Sequence, residues 1–315
     1  MLKPAMTIFG SMVILGTMIS ISANSWFLAW FGLEMNLIGF IPLLVSKENI
    51  KSPEAAIKYF FIQGVSSSLL IITSLNSTMN FSNSTMILLA LMVKMGAAPT
   101  HFWVPNLLEA ISWSNSCLLL TWQKISPLFL TTLSMKNNLM FYAGMSLVLG
   151  TLLGFNQIST KKILAFSSIS HLAWILSVLK LSTKILWLYF FIYALTIFLT
   201  MMLLALNNSN TINMTLTLNF PLKTNIYMLL LSLGGMPPLV GFFPKMMVIS
   251  FMVNNAMLVL PLLLVMSSLV NLYFYLRLTY TMLIVHPTSN FFNSYYSSPY
   301  LLLPLIFSPI IPLLF

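Results

Sequence analysis

Apolar runs of roughly 20 residues follow one another along nearly the whole chain, and this pattern constrains the fold most strongly. Of the 315 residues, 59% are hydrophobic and only 6% are charged, whereas ordinary soluble domains are about 25% charged. No soluble fold of this length has enough interior to bury so much apolar surface. The sequence therefore predicts an all-α polytopic membrane protein.

The runs predict about eleven transmembrane helices with short connections, and the alternation typical of a membrane β-barrel is absent. The predicted spans are roughly 4–22, 25–45, 54–75, 84–104, 112–133, 138–155, 161–179, 185–206, 224–249, 256–284 and 298–315. We interpret residues 1–315 as one transmembrane domain. It would contain a first repeat over about 1–135, a second over about 136–285 and a carboxy-terminal helix over about 286–315.

The net charge of +10 is spread singly between apolar runs, so it predicts topology and not nucleic-acid binding. Connections on the amino-terminal side hold Lys3, Lys47, Lys51, Lys58, Lys161, Lys162 and Lys223, and those on the other side hold Lys136, Lys180 and Lys184. This bias places the amino terminus on the positive side, which is cytoplasm- or matrix-like. With one cysteine and no dinucleotide, phosphate-loop or haem motif, we expect no cofactor and no metal in this chain.

A few ionisable residues lie inside the predicted spans, where a charge costs roughly 2.5–3.5 kcal/mol on insertion scales. They are Glu34, Lys94, Lys124, His171 and Arg277, with Lys245 at a break in a span. Such groups persist where they face a bundle interior or water, and they commonly mark a proton path. For the glutamate and the lysines, a structural partnership between buried charges is the alternative interpretation. Arg277 lies near a helix end and is interpreted as an anchor.

Lysine and histidine suit proton transfer in an apolar medium. Burial disfavours an ammonium ion and a nearby carboxylate favours it, so a Glu–Lys pair can hold or release a proton, whereas arginine stays protonated. His171 lies mid-helix among serines, and His101 follows Pro99 at either a water-accessible kink or a helix boundary. An imidazole with a pKa of about 6.5 suits a relay, but a structurally hydrogen-bonded histidine explains His171 equally well.

Two predicted spans are interrupted beside a lysine. Gly96 and Pro99 follow Lys94, and a cluster of glycines and prolines precedes Lys245 in LSLGGMPPLVGFFPK. Non-helical backbone at membrane depth is tolerated only where protein or water satisfies it. The breaks fall in the fourth and ninth predicted spans, an odd offset of five, so the second unit would run inverted relative to the first. This pattern predicts discontinuous helices in an antiporter-like inverted repeat around an ion site. Two unrelated proline kinks are the alternative.

Several segments resemble, in this order, the chain 2 family of mitochondrial NADH–ubiquinone oxidoreductase, an antiporter-like membrane subunit of respiratory complex I in its shortened animal form. The segments are WFGLEMNLIGFIPL, EAAIKYFF, KMGAAPTHFWVP, LLTWQKISPL, NQISTKKILAFSSISHLAW and LSLGGMPPLVGFFPK. The resemblance covers nearly the whole chain and includes polar residues at fixed relative positions.

The resemblance implies a role for each matching residue. Glu34 corresponds to the family's buried glutamate and Lys94 to its partner lysine on the first broken helix. Lys124 corresponds to the central connecting lysine, and Lys245 to the distal lysine on the second broken helix. Two histidines, His101 and His171, match histidines along the same polar axis.

The resemblance also implies the setting in which the chain works. It implies a multi-pass subunit of the mitochondrial inner membrane, with the amino terminus in the matrix. The expected partners are other complex I subunits, especially neighbouring antiporter-like subunits, and lipids such as cardiolipin. FMN, iron–sulfur clusters and ubiquinone would lie elsewhere in the complex, where NADH is oxidised and quinone reduced.

Two other functions remain open at the level of sequence. A free-standing Mrp-like cation/proton antiporter would share the broken helices, although one buried carboxylate and no aspartate provide poorly for sodium. In a purely structural scaffold, the buried charges would only orient helices.

Overall fold

The computed structural model describes residues 4–46, 49–75, 81–134, 138–179, 181–206, 211, 220–237 and 239–284. Over these residues the chain forms thirteen α-helices and no strand, which confirms the all-α prediction for this part. The helices are α1 Pro4–Ser22, α2 Trp26–Leu44, α3 Ser52–Leu75, α4 Phe81–Met95, α5 Trp103–Ala110, α6 Trp113–Leu120, α7 Trp122–Leu133, α8 Leu139–Gly154, α9 Thr160–Leu179, α10 Thr183–Leu206, α11 Phe220–Gly234, α12 Phe242–Asn254 and α13 Val259–Ile284. The predicted carboxy-terminal helix at 286–315 lies outside the described residues.

Five of the described helices are long and apolar enough to cross a membrane on their own: α2, α3, α9, α10 and α13. Shorter apolar helices account for other predicted spans, and the spans at 84–104 and 224–249 are each built from two helices. Both predicted interruptions are therefore present, between α4 and α5 and between α11 and α12.

The predicted continuous span at 112–133 is also divided, and here the prediction was wrong. Helix α6 ends at Leu120 and α7 begins at Trp122. The Thr121 hydroxyl donates to the Cys117 carbonyl at 2.7 Å, and the Lys124 amide bonds the Thr121 carbonyl at 3.2 Å in a tighter turn. Threonine side chains compete in this way for helical carbonyls. No glycine or proline lies at the interruption, so the sequence does not predict it.

Contacts divide the chain into two compact units, Met1–Ser146 and Leu147–Phe315. The division into two repeats near residue 135 stays a prediction. In the first unit, α1 and α2 form an antiparallel hairpin whose backbones touch. A Cβ on Gly32 would lie 2.5 Å from the Ser20 amide nitrogen, and one on Gly16 would lie 2.6 Å from the Asn36 amide nitrogen. This close approach fixes α2, which carries Glu34, against α1.

In the second unit, α9 is buried on nearly all sides. It packs against α10, α12 and α13, and the Asn271 amide on α13 donates to the Ser170 hydroxyl at 2.8 Å. Arg277 donates from Nη2 to the Gln157 carbonyl at 2.7 Å, which ties the end of α13 to the α8–α9 connection. The anchoring role expected of Arg277 agrees with this contact.

Candidate functional site

The two interrupted spans end their first helices in the same way. Gly96 (φ +71°) follows α4 and Gly235 (φ +84°) follows α11, and both occupy the left-handed region that favours glycine. The amide of the next residue donates to the carbonyl five residues back. Ala97 bonds Met92 at 3.0 Å, and Met236 bonds Leu231 at 3.2 Å. The glycine amides bond the carbonyls three residues back, which completes a Schellman cap at each break.

Lys94 lies in the last turn of α4, immediately before the first break, and is 7% exposed. Among the described residues its ammonium makes no direct hydrogen bond and no ion pair, and it borders a small polar cavity. The carbonyl of Lys94 accepts a long hydrogen bond of 3.4 Å from Gln63 Nε2 on α3. The sequence predicted that Lys94 lies beside a break, and the structure shows that it also lines a cavity.

Glu34 lies on α2 and is half-buried. It interacts electrostatically with Lys94, but within the described ranges no ion pair of 4.0 Å or less joins the two. The carboxylate therefore acts on the ammonium through space. In contrast, Glu54 forms an exposed i,i+4 pair with Lys58 at 2.5 Å at the start of α3, where the sequence predicts a helix-terminus residue.

Lys124 and His101 belong to the same unit. Lys124 is buried in the first turn of α7, directly after the unpredicted interruption at Thr121. His101 is buried in the connection between α4 and α5, where its Nδ1 lies 3.2 Å from the Pro99 carbonyl and its ring is 4.3 Å from that of Phe102. It therefore occupies a helix boundary.

Lys245 lies in the first turn of α12 and reaches back to the end of α11. Its Nζ donates to the carbonyls of Gly234 at 2.8 Å and Leu233 at 3.1 Å, and it lies 5.7 Å from the Trp174 ring centroid. A cation at a helix C-terminus is favourable because the last carbonyls carry partial negative charge. The site surrounding Lys245 thus consists of carbonyl oxygens and an aromatic face, without a carboxylate among the described residues.

His171 is buried on α9, one turn before Trp174, and its Nδ1 is 2.8 Å from the Tyr189 hydroxyl. Beside it lies a second cavity with room for about one water molecule. Its polar lining includes Tyr193, Thr196 and the segment around Ser232 that ends α11. His171 and Lys245 therefore both adjoin the second break.

Sequence reasoning missed the neutral polar residues of both units. In the first unit, Gln123 Nε2 on α7 donates to Asn36 Oδ1 on α2 at 2.9 Å, and Gln63 and Tyr59 on α3 complete the same cavity. In the second unit the missed residue is Tyr189. An amide inside an apolar span is a signal that could have been found, because it is costly to bury without partners. No cluster of three or more potential metal ligands occurs in the part of the chain that the structure describes.

Comparison with known proteins places the chain in a family. A sequence profile described as "NADH:quinone oxidoreductase/Mrp antiporter, TM" matches residues 23–74 and 72–271. The protein named NADH-ubiquinone oxidoreductase chain 2 in Symphalangus syndactylus is 41% identical over 310 residues, covering 91% of this chain and 88% of its own length. The protein of the same name in Anopheles gambiae is 39% identical, covering 92% and 89%.

Solved structures show the same fold. A chain of respiratory complex I from Thermus thermophilus superposes with a TM-score of 0.85 at 20% identity, covering 98% of this chain and 77% of that one. A chain of the Mrp complex from Dietzia sp. DQ12-45-1b gives 0.72 at 15% identity, covering 86% and 58%. The fold and the profile match thus define an antiporter-like transmembrane protein.

The chain belongs to the NADH:quinone oxidoreductase/Mrp antiporter transmembrane family, and within it to the NADH-ubiquinone oxidoreductase chain 2 proteins. The resemblance identified in the sequence is thereby confirmed.

Proposed function

We propose that this chain relays protons through Glu34, Lys94, Lys124 and Lys245 as a membrane subunit of proton-translocating NADH:ubiquinone oxidoreductase, with His101 and His171 alongside. Membership of the enzyme follows from identities near 40% over about nine-tenths of the chain. The roles of the individual side chains rest on their local geometry. A free-standing Mrp-like antiporter is less well supported, because these relatives carry the chain 2 name.

One observation carries the proposed role of the lysines: two deeply buried lysine side chains make no ion pair within the described ranges. Within the described ranges, Lys94 and Lys245 make no ion pair, in contrast to the exposed Lys58, which pairs with Glu54. A buried charge kept only to orient helices is expected to be paired, because an unpaired one is strongly destabilising. A buried lysine that is not locked into an ion pair can exist in both protonation states, as a relay requires.

The setting of the chain forms part of the proposal. Animal relatives support the mitochondrial inner membrane, and the lysine bias in the connections supports a matrix-side amino terminus. The partners are other complex I subunits, especially neighbouring antiporter-like subunits, and lipids such as cardiolipin; we propose no nucleic-acid partner. FMN, the iron–sulfur clusters and ubiquinone are assigned to other subunits, and this chain does no redox chemistry.

Replacement of Lys94 in the assembled enzyme tests the relay. We expect Lys94→Met to lower NADH-driven proton pumping in sealed vesicles by at least about tenfold, because general acid–base groups commonly contribute 10²–10⁴-fold. Lys94→Arg should fail similarly, since arginine does not release its proton. Lys51→Met, at an exposed position before α3, is the matched control and should pump normally. Normal pumping by fully assembled Lys94→Met enzyme would refute the proposal.

A further inference from the structure

Polar side chains from four helices of the first unit face one small cavity. They are Asn36 on α2, Tyr59 and Gln63 on α3, Lys94 on α4 and Gln123 on α7. Leu33, Leu37 and Pro127 complete the wall. We call this space the amide chamber. It has room for about one water molecule, and a site of that size holds water where two to four polar groups can bond it.

The amides of the chamber have unused hydrogen-bonding capacity. Within the described ranges, their side chains make two hydrogen bonds, Gln123 to Asn36 at 2.9 Å and the long Gln63 contact at 3.4 Å. Each carboxamide offers two donors and an oxygen with two lone pairs. The Asn36, Gln63 and Gln123 amides and the Tyr59 phenol all belong to residues that line the chamber, so a ligand there has neutral polar residues on several sides.

Lys94 supplies the strongest reason for a ligand in this space. Its side chain is more than nine-tenths buried, and its ammonium has three N–H donors with no direct protein acceptor among the described residues. A buried charged donor is costly unless it is hydrogen-bonded. Water can accept from the ammonium and donate to an amide oxygen at the same time.

We propose that the amide chamber is a water-binding site and that Gln63 and Gln123 position its water to exchange a proton with Lys94. In the forward step an Nζ–H bond breaks and a water O–H bond forms, which leaves a neutral amine and a proton on the water, with no change of oxidation state. Carboxamides do not titrate, so they hold the water without trapping the proton. The inference rests on the proposed function, because it specifies how Lys94 exchanges its proton.

The Asn36–Gln123 hydrogen bond gives the chamber its position among the proposed proton carriers. Asn36 is two residues after Glu34, and Gln123 directly precedes Lys124. The bond therefore joins the helix of the carboxylate to the helix of the next lysine, beside the space that Lys94 faces.

Two replacements of Gln63 in the assembled enzyme separate water from the amide itself. Gln63→Leu fills the space with a similar apolar volume and should lower proton pumping by about tenfold, since it excludes a well-bonded water. Gln63→Ala also removes the amide but leaves room for water, and it should lower pumping only about two- to threefold. Normal pumping by Gln63→Leu, or a greater loss for Gln63→Ala than for Gln63→Leu, would overturn the proposal. Gln157→Leu, in the second unit, is the matched control and should pump normally.

Density for the unmodified enzyme gives an independent test, which holds even if a variant fails to assemble. We expect a water peak within about 3.5 Å of Lys94 Nζ and of a chamber amide. A direct bond from Nζ to protein with no such peak would refute the water site. If Lys94→Met pumps normally, the relay itself fails. If Lys94→Met is inactive and the Gln63 test or the density is negative, only the chamber inference fails.

Discussion

Gly96 and Gly235 occupy the same position in two copies of one structural motif. Each ends a helix with a positive φ and a Schellman cap, and in each case seven residues (96–102 and 235–241) separate the two helices of the span. The space over the glycine is filled differently: a Cβ would lie 2.3 Å from Val104 Cγ2 at the first break and 2.8 Å from Lys245 Cδ at the second. The two interruptions therefore share one helix-ending geometry, while the division into two repeats stays a prediction.

The backbone at the second break predicts an intolerant position at Gly241. A Cβ there would lie 1.7 Å from the Ser232 carbonyl oxygen, so Gly241→Ala must move either helix end. Overpacking of this kind costs about 1–3 kcal/mol. We expect markedly less assembled enzyme on native gels. Gly144→Ala, where nothing in the described structure lies within 4 Å, is the control, and equal yields of the two variants would contradict the prediction.

Lys245 caps the end of α11, and two replacements separate this contact from the proton transfer that we propose for the same side chain. Lys245→Arg keeps a donor for the α11 carbonyls, so we expect normal assembly with pumping reduced by about tenfold or more, since arginine stays protonated. Lys245→Met removes the donor as well, and should also lower the thermal stability of the enzyme. Scanning calorimetry and vesicle pumping measure the two effects. Normal pumping by the arginine variant would show that fixed charge is sufficient.

Replacement of Glu34 and replacement of Glu54 should have sharply different effects on proton pumping. Glu34→Gln removes the charge that acts on Lys94, so we expect a clear loss of proton pumping. The rate of NADH oxidation, measured with an artificial electron acceptor, should not change. Glu54→Gln breaks only an exposed pair with Lys58 and should leave both activities unchanged, because such pairs contribute little. A similar loss in both variants would argue against a special role for Glu34.

The His171–Tyr189 contact predicts non-additive effects. Tyr189→Phe removes the hydroxyl 2.8 Å from Nδ1 and nothing else, so it tests whether orientation of the imidazole matters. If the pair acts as a unit, His171→Leu, Tyr189→Phe and the double variant should lower pumping by similar factors. Effects of the single variants that multiply in the double variant would show that the residues act independently.

Glycine and proline beside a lysine predicted both interruptions, because this signal is local. The proton-relay roles of the lysines and of Glu34 stay predictions. Contacts between distant segments could not be predicted. The Gln123–Asn36 bond joins residues 87 apart, and nothing in either segment identifies the other partner. The interruption at Thr121 was missed because no glycine or proline lies there, and threonine occurs within continuous helices of this chain as well.

The position of each lysine relative to the two helix ends at its break could not be predicted from the sequence either. Lys94 ends its first helix, whereas Lys245 starts its second and reaches back over Gly235, so the two sites are not equivalent despite equal spacing. The amino-acid sequence shows that a lysine lies beside a break, but the direction of its side chain depends on how the two helix ends pack.

Helix α9 has a consequence for how the surrounding lipid can influence the enzyme. The helix is enclosed by its own polypeptide over nearly its full length, so His171 and Trp174 are shielded from acyl chains. Changes in tail length or unsaturation act first on outward-facing helices such as α3 and α13, which present much more apolar surface. Direct contact between lipid tails and His171 is thereby prevented, so the bilayer can reach this residue only through the helices that surround α9.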